Sequence, residues 1–287
     1  MRDDFCVFIL THGRPDNVRT YNTLMRLGYT GKLFFVIDDE DKTGPEYVKR
    51  YGQERVLVFD KAAAAAKTDQ GDNFRGRGTV LFARNVCFDL AVQVGCRYFL
   101  QFDDDYTGFM LRRDGLGQYG YWRLQDGKIN EAISAMLDFF IATPTQSIAM
   151  SQGGDWIGGQ TSSGMRRKAM NSFFCDTGRR FDFVGRLNDD VNTYVTLGSR
   201  GALFLTVMQI QLVQMPTQSQ SGGLTEAYLD AGTYVKSFYT VMMDPSSVKI
   251  GWIGDGHDRI HHEIDWPRAV PQILRETFRK AKREVKA

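Results

Sequence analysis

The sequence predicts an α/β protein with a largely parallel central sheet and helices on both faces. Two observations carry this. Short apolar runs alternate with helical segments throughout residues 5 to 105, and the acidic residues of that region follow directly on the apolar runs, at the carboxyl ends of the expected strands, where ligands of open parallel sheets gather.

Taken in order, Phe5 to Thr11 is an apolar run closed by a Gly13-Arg14-Pro15 turn, and Asp16 to Leu27 reads as a helix stopped by Gly28. Leu33 to Ile37 is a second buried strand ending in Asp38-Asp39-Glu40-Asp41, a helix is expected around Gly44 to Tyr51, and Val56 to Phe59 is a third strand. Thr79 to Val94 reads as an amphipathic helix with Gly95 as its C-cap, before a fourth strand, Tyr98 to Phe102, that ends in Asp103-Asp104-Asp105. Beyond residue 105 the pattern becomes mixed α+β, with helices at Asn130 to Thr143 and Asn188 to Gly198 and strands at Ile148 to Ser151 and Asn171 to Phe174. Segments 153–164 and 214–223 are rich in Gly, Ser and Gln and are expected to be mobile surface loops, either one a candidate lid. No linker divides the chain, so one domain over 1–287 is expected.

Composition narrows the class. The 287 residues carry 36 Lys+Arg against 34 Asp+Glu, a net +2 that is too balanced for a histone-like or an acidic solvating protein. Residues 275–287 alone hold six basic and two acidic side chains, a local +4, which leaves −2 for the rest. No apolar run approaches the roughly 20 residues of a membrane span, and the first residues lead into a strand instead of a signal peptide, so a soluble, intracellular protein without a membrane partner is expected. Cys6, Cys87, Cys96 and Cys175 show no Cys-x-x-Cys spacing and are expected as reduced core thiols.

Three consecutive carboxylates at the end of an apolar strand repel one another unless a cation neutralises them. All-oxygen ligands suit Mg²⁺ or Mn²⁺, so Asp103 and Asp105, pointing to one side with Asp104 opposed, are the candidate metal ligands. Such an ion clamps a diphosphate and offsets charge on a leaving group. Asp103-x-Asp105 also fits the nucleophile motif of haloacid-dehalogenase-type phosphohydrolases, although that motif usually sits on the first strand and here three strand units precede it. A pyrophosphorylase-like nucleotidyltransferase ranks third, because His12-Gly13-Arg14 has a single glycine. The segment from Asp72 to Asn85 joins a basic, glycine-containing loop to a helix start, which favours phosphate near Arg75, Arg84 and Asn85. Asn188-Asp189-Asp190 opens a later helix with one more acid than a cap needs. His257, His261 and His262 place three of the four histidines within six positions.

The order of these strings resembles a GT-A-fold glycosyltransferase, and within that fold the DNA-modifying branch associated with TET/JBP-type dioxygenases, which includes bacteriophage base glycosyltransferases and the base-J glucosyltransferase. The resemblance rests on Thr11-His12-Gly13-Arg14-Pro15, Phe74 to Gly78 with Ala83-Arg84-Asn85, Phe102 to Asp105, Asn188 to Val191, Arg259 to His262 and Ala269 to Leu274. It implies a nucleotide-sugar-binding half, 1–107, and an acceptor-side half, 108–287. Thr11 and Arg14 would lie near base or phosphate, Asp38 at uracil or ribose and Asp104 at the donor sugar. Asp190, or else Asp189, would be the general base, and His261 or His262 would complete the metal shell. The donor implied is a UDP-sugar, UDP-glucose foremost. The acceptor is double-stranded DNA carrying 5-hydroxymethylcytosine or 5-hydroxymethyluracil, and the setting is the cytoplasm of a phage-infected bacterium. A non-catalytic DNA-binding module on the same fold stays open.

Overall fold

A computed structural model of the protein describes residues 1–74, 76–115, 118–156, 166–214, 235–253, 259–271 and 273. Strands β1 (Phe5–Leu10), β2 (Lys32–Asp38), β3 (Val56–Phe59) and β4 (Tyr98–Asp103) alternate with helices α1 (Arg19–Arg26), α2 (Gly44–Tyr51), α3 (Lys61–Lys67) and α4 (Leu81–Gln93). The second half supplies β5 (Tyr106–Gly115), β6 (Gln118–Arg123), α5 (Ile129–Ala142), β7 (Ser147–Ser151), β8 (Phe173–Asp176), α6 (Asp189–Ser199), β9 (Phe204–Gln214), α7 (Val235–Met243), β10 (Val248–Ile253), β11 (Arg259–Ile264) and α8 (Trp266–Ala269).

Among the described residues β1 to β9 form one sheet in the order β3-β2-β1-β4-β8-β7-β9-β5-β6, and β10 and β11 form a separate antiparallel pair. The front half is parallel throughout, with β1 between β2 and β4. Direction reverses at β4–β8, and of the remaining pairings only β7–β9 is parallel. The expected parallel front and mixed back thus share one continuous sheet. One face packs on α1, α2 and α5 through Phe35, Tyr47, Leu100 and Phe140; the other packs on α4 and α6 through Phe8, Phe88, Phe99 and Val191. Phe99 and Phe102 are fully buried on opposite faces of β4. Each contributes roughly 1.5–3 kcal/mol by leaving water, which anchors the strand that carries the aspartates.

Several boundaries differ from the sequence reading for local reasons. Helix α1 begins at Arg19 because Asp16 and Asn17 turn back instead, with the Asn17 amide donating to the Arg14 carbonyl at 3.0 Å. The alanine run 62–66 is helical, capped by Asp60, which accepts from the Ala63 amide at 2.7 Å. Asn171 takes a left-handed φ of 62° and β8 starts only at Phe173. The β5–β6 hairpin, most of β9, α7, and the β10–β11 pair carry no strong periodic signal and lie beyond what the sequence predicts. All four cysteines are buried and unpaired. Of the expected loops, 153–156 forms a 3-10 turn and Gln214 ends β9; 157–164 and 215–223 lie outside the described residues, as do Arg75, His257 and the basic segment 275–287. No helix among the described residues is long and apolar enough to cross a membrane.

Candidate active site

Parallel strands β1, β2 and β4 deliver their carboxyl ends to one edge of the sheet, and the first three polar groups meet there. After β1 the chain turns through Gly13 at φ 70°, a conformation that favours glycine, and the Gly13 amide donates to Asp41 at 2.7 Å. This fixes the loop so that Thr11 donates to Asp104 at 2.7 Å and Arg14 Nη1 donates to the other Asp104 oxygen at 3.2 Å. Tyr47 on α2 braces both residues, pairing with the Thr11 hydroxyl at 2.8 Å and accepting from the Arg14 amide at 2.9 Å. Burial raises the Asp104 pKa, and Arg14 and Thr11 offset part of that rise. Asp104 therefore ties the triplet to the first loop.

Asp38, at the end of β2, is gripped from two sides: His12 Nδ1 at 2.8 Å and the buried Lys61 Nζ at 3.2 Å. Burial alone would raise its pKa, but His12 and Lys61 outweigh it and the carboxyl is lowered. The hydrogen bond to Asp38 in turn raises His12. Lys61 carries no sequence signal beyond its place after Asp60; only the sheet register brings it to Asp38.

β4 ends at Asp103 and β5 begins at Tyr106, so Asp104 and Asp105 form a two-residue turn. Thr20 on α1 clamps this turn, donating from its hydroxyl to the Asp103 carbonyl at 2.5 Å and from its amide to the Asp104 carbonyl at 3.1 Å, and accepting from the Tyr106 amide at 3.0 Å. The three carboxylates find different answers. Asp103 accepts from Arg84 Nη2 at 3.1 Å, and Asp104 meets Arg14. Asp105 has no ion-pair partner among the described residues, and burial, then Asp103 and Asp104, push its pKa up to about 7. That unmet charge, on hard oxygen donors beside Asp103, fits a divalent cation such as Mg²⁺ or Mn²⁺.

Arg84, nearly fully buried on α4, is the hub. Its Nη2 serves Asp103 while its Nε lies 2.8 Å from Asp189 Oδ2 at the start of α6. Phe173 and Phe183 flank the guanidinium at 4.9 and 5.8 Å, and Gln101 donates to the Arg84 carbonyl at 2.9 Å. Burial opposes the charge, yet Asp103, Asp189 and Asp190 outweigh it and raise the Arg84 pKa. Nη1 of Arg84 is buried without a hydrogen-bond partner among the described residues, a donor held in reserve. Asn85 faces elsewhere: its amide nitrogen donates to the Phe183 carbonyl at 3.0 Å and its oxygen accepts from the Phe183 amide at 2.7 Å, so the side chain clasps that backbone.

Asp189 and Asp190 are both buried. Burial lifts Asp189 to about 7 and also raises Asp190, whose Oδ1 accepts from the Val191 amide at 2.8 Å. Asn188, at a left-handed φ of 61°, sends its amide nitrogen to Thr240 at 2.7 Å and to His262 Nδ1 at 3.3 Å. An amide nitrogen only donates, so Nδ1 accepts and the imidazole proton sits on Nε2. Burial first, then His261, Lys236 and Lys168, lowers His262 to about 3, which keeps the ring neutral. His261 and His262 are neighbours in β11, and their rings lie 4.1 Å apart. Among the described residues no three His, Cys, Asp or Glu side chains are gathered as a metal cluster, so the late histidines are not joined to Asp103 and Asp105 here.

Arg186, which the sequence did not mark, is buried just before α6. It binds Asp72 at 2.9 Å, Gln70 at 2.8 Å and the Phe74 carbonyl at 2.7 Å, and Tyr239 of α7 also donates to Asp72. Residues 70–74 are thereby fixed to the segment that leads into α6.

Residues 5–223 match the family described as TET-Associated Glycosyltransferase. The chain belongs to the TET-associated glycosyltransferases. The dehalogenase reading of Asp103-x-Asp105 is set aside by that membership, and the fold is the expected α/β arrangement with a parallel front half and helices on both faces of the sheet. Similar solved structures include S. aureus TarS 1-349, 12% identical, with 73% of this chain and 60% of that chain covered and a TM-score of 0.43. Two others are Mycobacterium tuberculosis glucosyl-3-phosphoglycerate synthase with Mg²⁺ and UDP (10% identity, 91% and 87% covered, TM-score 0.48) and with Mn²⁺ and UDP-glucose (10%, 91% and 86%, 0.47). The TET-associated glycosyltransferase thus spans 60% of the TarS chain it matches. No curated protein sequence matches it significantly.

Proposed function

We propose that this TET-associated glycosyltransferase moves a sugar, glucose foremost, from a UDP-sugar to the hydroxyl of 5-hydroxymethylcytosine or 5-hydroxymethyluracil in double-stranded DNA. One observation carries the reading: a single buried guanidinium, Arg84, spans from the aspartate triplet to the acids at the head of α6. Donor-side and acceptor-side carboxylates are thus one side chain apart, as transfer between two bound substrates requires.

In this reading Thr11, Arg14 and Asp38 order the loop that receives the nucleoside, with Asp104 as its tie to β4, and Arg75, outside the described residues, stays a candidate for the diphosphate by its sequence context alone. Asp103 and Asp105 would hold Mg²⁺ or Mn²⁺, and His261 or His262 would complete the shell. When bound, the cation offsets the negative charge that grows on the departing diphosphate. Arg84 adds a fixed positive charge beside it, with Nη1 the donor still available. Asn85 positions the Phe183 backbone that packs under Arg84.

Asp190 is the favoured base, because Asp189 is held by Arg84 and Asp190 has no ion pair among the described residues. The hydroxymethyl oxygen forms the new bond to the sugar's anomeric carbon, the bond from that carbon to the UDP oxygen breaks with its electron pair leaving on UDP, and the hydroxyl proton passes to the Asp190 carboxylate. A raised pKa suits a base that must hold this proton near neutral pH.

The test is incubation with a panel of UDP-sugars, Mn²⁺ and duplex DNA containing either hydroxymethylated base, followed by nucleoside mass spectrometry. A hexose mass gain on the modified base is expected; no gain on any base with any donor removes the DNA acceptor.

A further inference from the structure

We propose that the β5–β6 hairpin is the surface on which the acceptor duplex docks, with phosphates against Arg112 and Arg123 and the Tyr121 ring against the backbone between them. This rests on the DNA-acceptor reading above and names where that partner sits.

Position comes first. β5 leaves the aspartate turn at Tyr106, and Arg112 lies six residues along it; at about 3.3 Å per residue that is roughly 20 Å from the donor site. A duplex advances about 3.4 Å per base step, so the hairpin stands about six steps from a base presented at the triplet. The pairing register then sets the face. Met110 opposes Arg123 and Arg112 opposes Tyr121, so these four side chains share one side of the sheet. Phe109, next to Met110, packs into the core under α1 and α5. Alternation therefore puts Arg112, Tyr121 and Arg123 on the opposite face, the one that carries α4 with Arg84 and α6 with Asp190.

Exposure and charge select the occupant. Tyr121 is 60% exposed and Arg123 is exposed, while the Arg112 guanidinium lies 5.3 Å over the Tyr121 ring, which fixes its position. Among the hairpin residues whose side chains are described, the charged ones are Arg112 and Arg123, both basic, in a chain whose overall charge is nearly balanced. β6 is an edge strand of the sheet. Edge pairing with a second copy would bring these like charges together, whereas a polyphosphate backbone complements them. Phosphate contacts of this kind position a duplex without reading its sequence.

The experiment is fluorescence anisotropy of a labelled 20-base-pair duplex over a salt series, with the full chain as wild type, Arg123→Glu, Tyr121→Ser and the double variant Arg112→Gln/Arg123→Gln. Circular dichroism melting reports that each variant is folded, and UDP titration in Mn²⁺ that the donor side is intact. Arg123→Glu is expected to weaken binding at least tenfold. The double variant is expected to lower the slope of log affinity against log salt by about 1.8, since each phosphate neutralised by a side chain adds roughly 0.9 to it. Folded variants with wild-type affinity and slope overturn the hairpin as docking surface while the DNA reading stands. A wild-type chain that binds no duplex at any salt overturns both.

Discussion

Arg84 Nε lies 2.8 Å from Asp189 Oδ2 while the same guanidinium donates to Asp103, so the two halves of the cleft compete for one buried positive charge. Removing that charge leaves the buried Asp189 and the partly exposed Asp103 uncompensated. Arg84→Ala is expected to destabilise the fold by about 3–5 kcal/mol, read by urea denaturation, and to abolish sugar transfer. Arg84→Lys retains the charge but cannot span both acids, so it should recover stability better than activity.

Asp105 is the carboxylate without an ion-pair partner among the described residues, and its burial, followed by its repulsion from Asp103 and Asp104, is a cost of the metal-free fold. Asp105→Asn should raise the melting temperature of metal-free protein at pH 8 and at the same time abolish transfer. Mn²⁺ should raise the melting temperature of the wild type and leave that of the variant unmoved. An equal Mn²⁺ effect on both would remove Asp105 from the metal assignment.

The two acids at the head of α6 separate by their partners. Asp190→Asn should lower the transfer rate by about 10²–10⁴ with UDP affinity retained, as loss of a general base does. Asp189→Asn should instead disturb Arg84, with a fall in melting temperature and weaker UDP binding. If only the second variant loses the chemical step with its melting temperature intact, the base is Asp189.

His12 carries a pH dependence at the carboxyl ends of β1 and β2. Its folded-state pKa is raised by Asp38, so its stabilising contribution is complete below its ordinary value of about 6.5 and is lost as pH rises through the raised value. NMR titration of the His12 ring should show a midpoint above 6.5 that falls back toward it in Asp38→Asn. A midpoint unchanged by that substitution would detach His12 from Asp38.

Asn85→Ala removes both bonds to the Phe183 backbone and strands two buried polar groups, a cost of about 1–3 kcal/mol for each unsatisfied group. The loss should appear in unfolding experiments, with UDP affinity changed far less than in Arg14→Ala.

The front half of the fold is legible because buried parallel strands are continuous apolar runs, and their ends show as abrupt switches to acid: Ile37 to Asp38, Phe102 to Asp103. The aspartate triplet and the α6 acids can be named from sequence because spare carboxylates are conspicuous. Their shared partner cannot, since Arg84 reaches Asp189 across 105 residues of chain. Lys61 and Arg186 leave no trace, because a lysine at a helix start and an arginine in a loop look alike whether solvated or buried. Asn85 is legible as polar but not in direction, since helix periodicity does not tell which backbone an amide will clasp. The edge hairpin stays hidden because Thr107, Gly108, Arg112 and Arg113 interrupt its alternation.

The two-residue turn between β4 and β5 also restricts how relatives can diverge in length. Gaining or losing one amino acid between Asp103 and Tyr106 would invert the pleat of β5, sending Phe109 to the wrong side of the sheet. Indels in this lineage should therefore spare positions 103–106 while accumulating elsewhere.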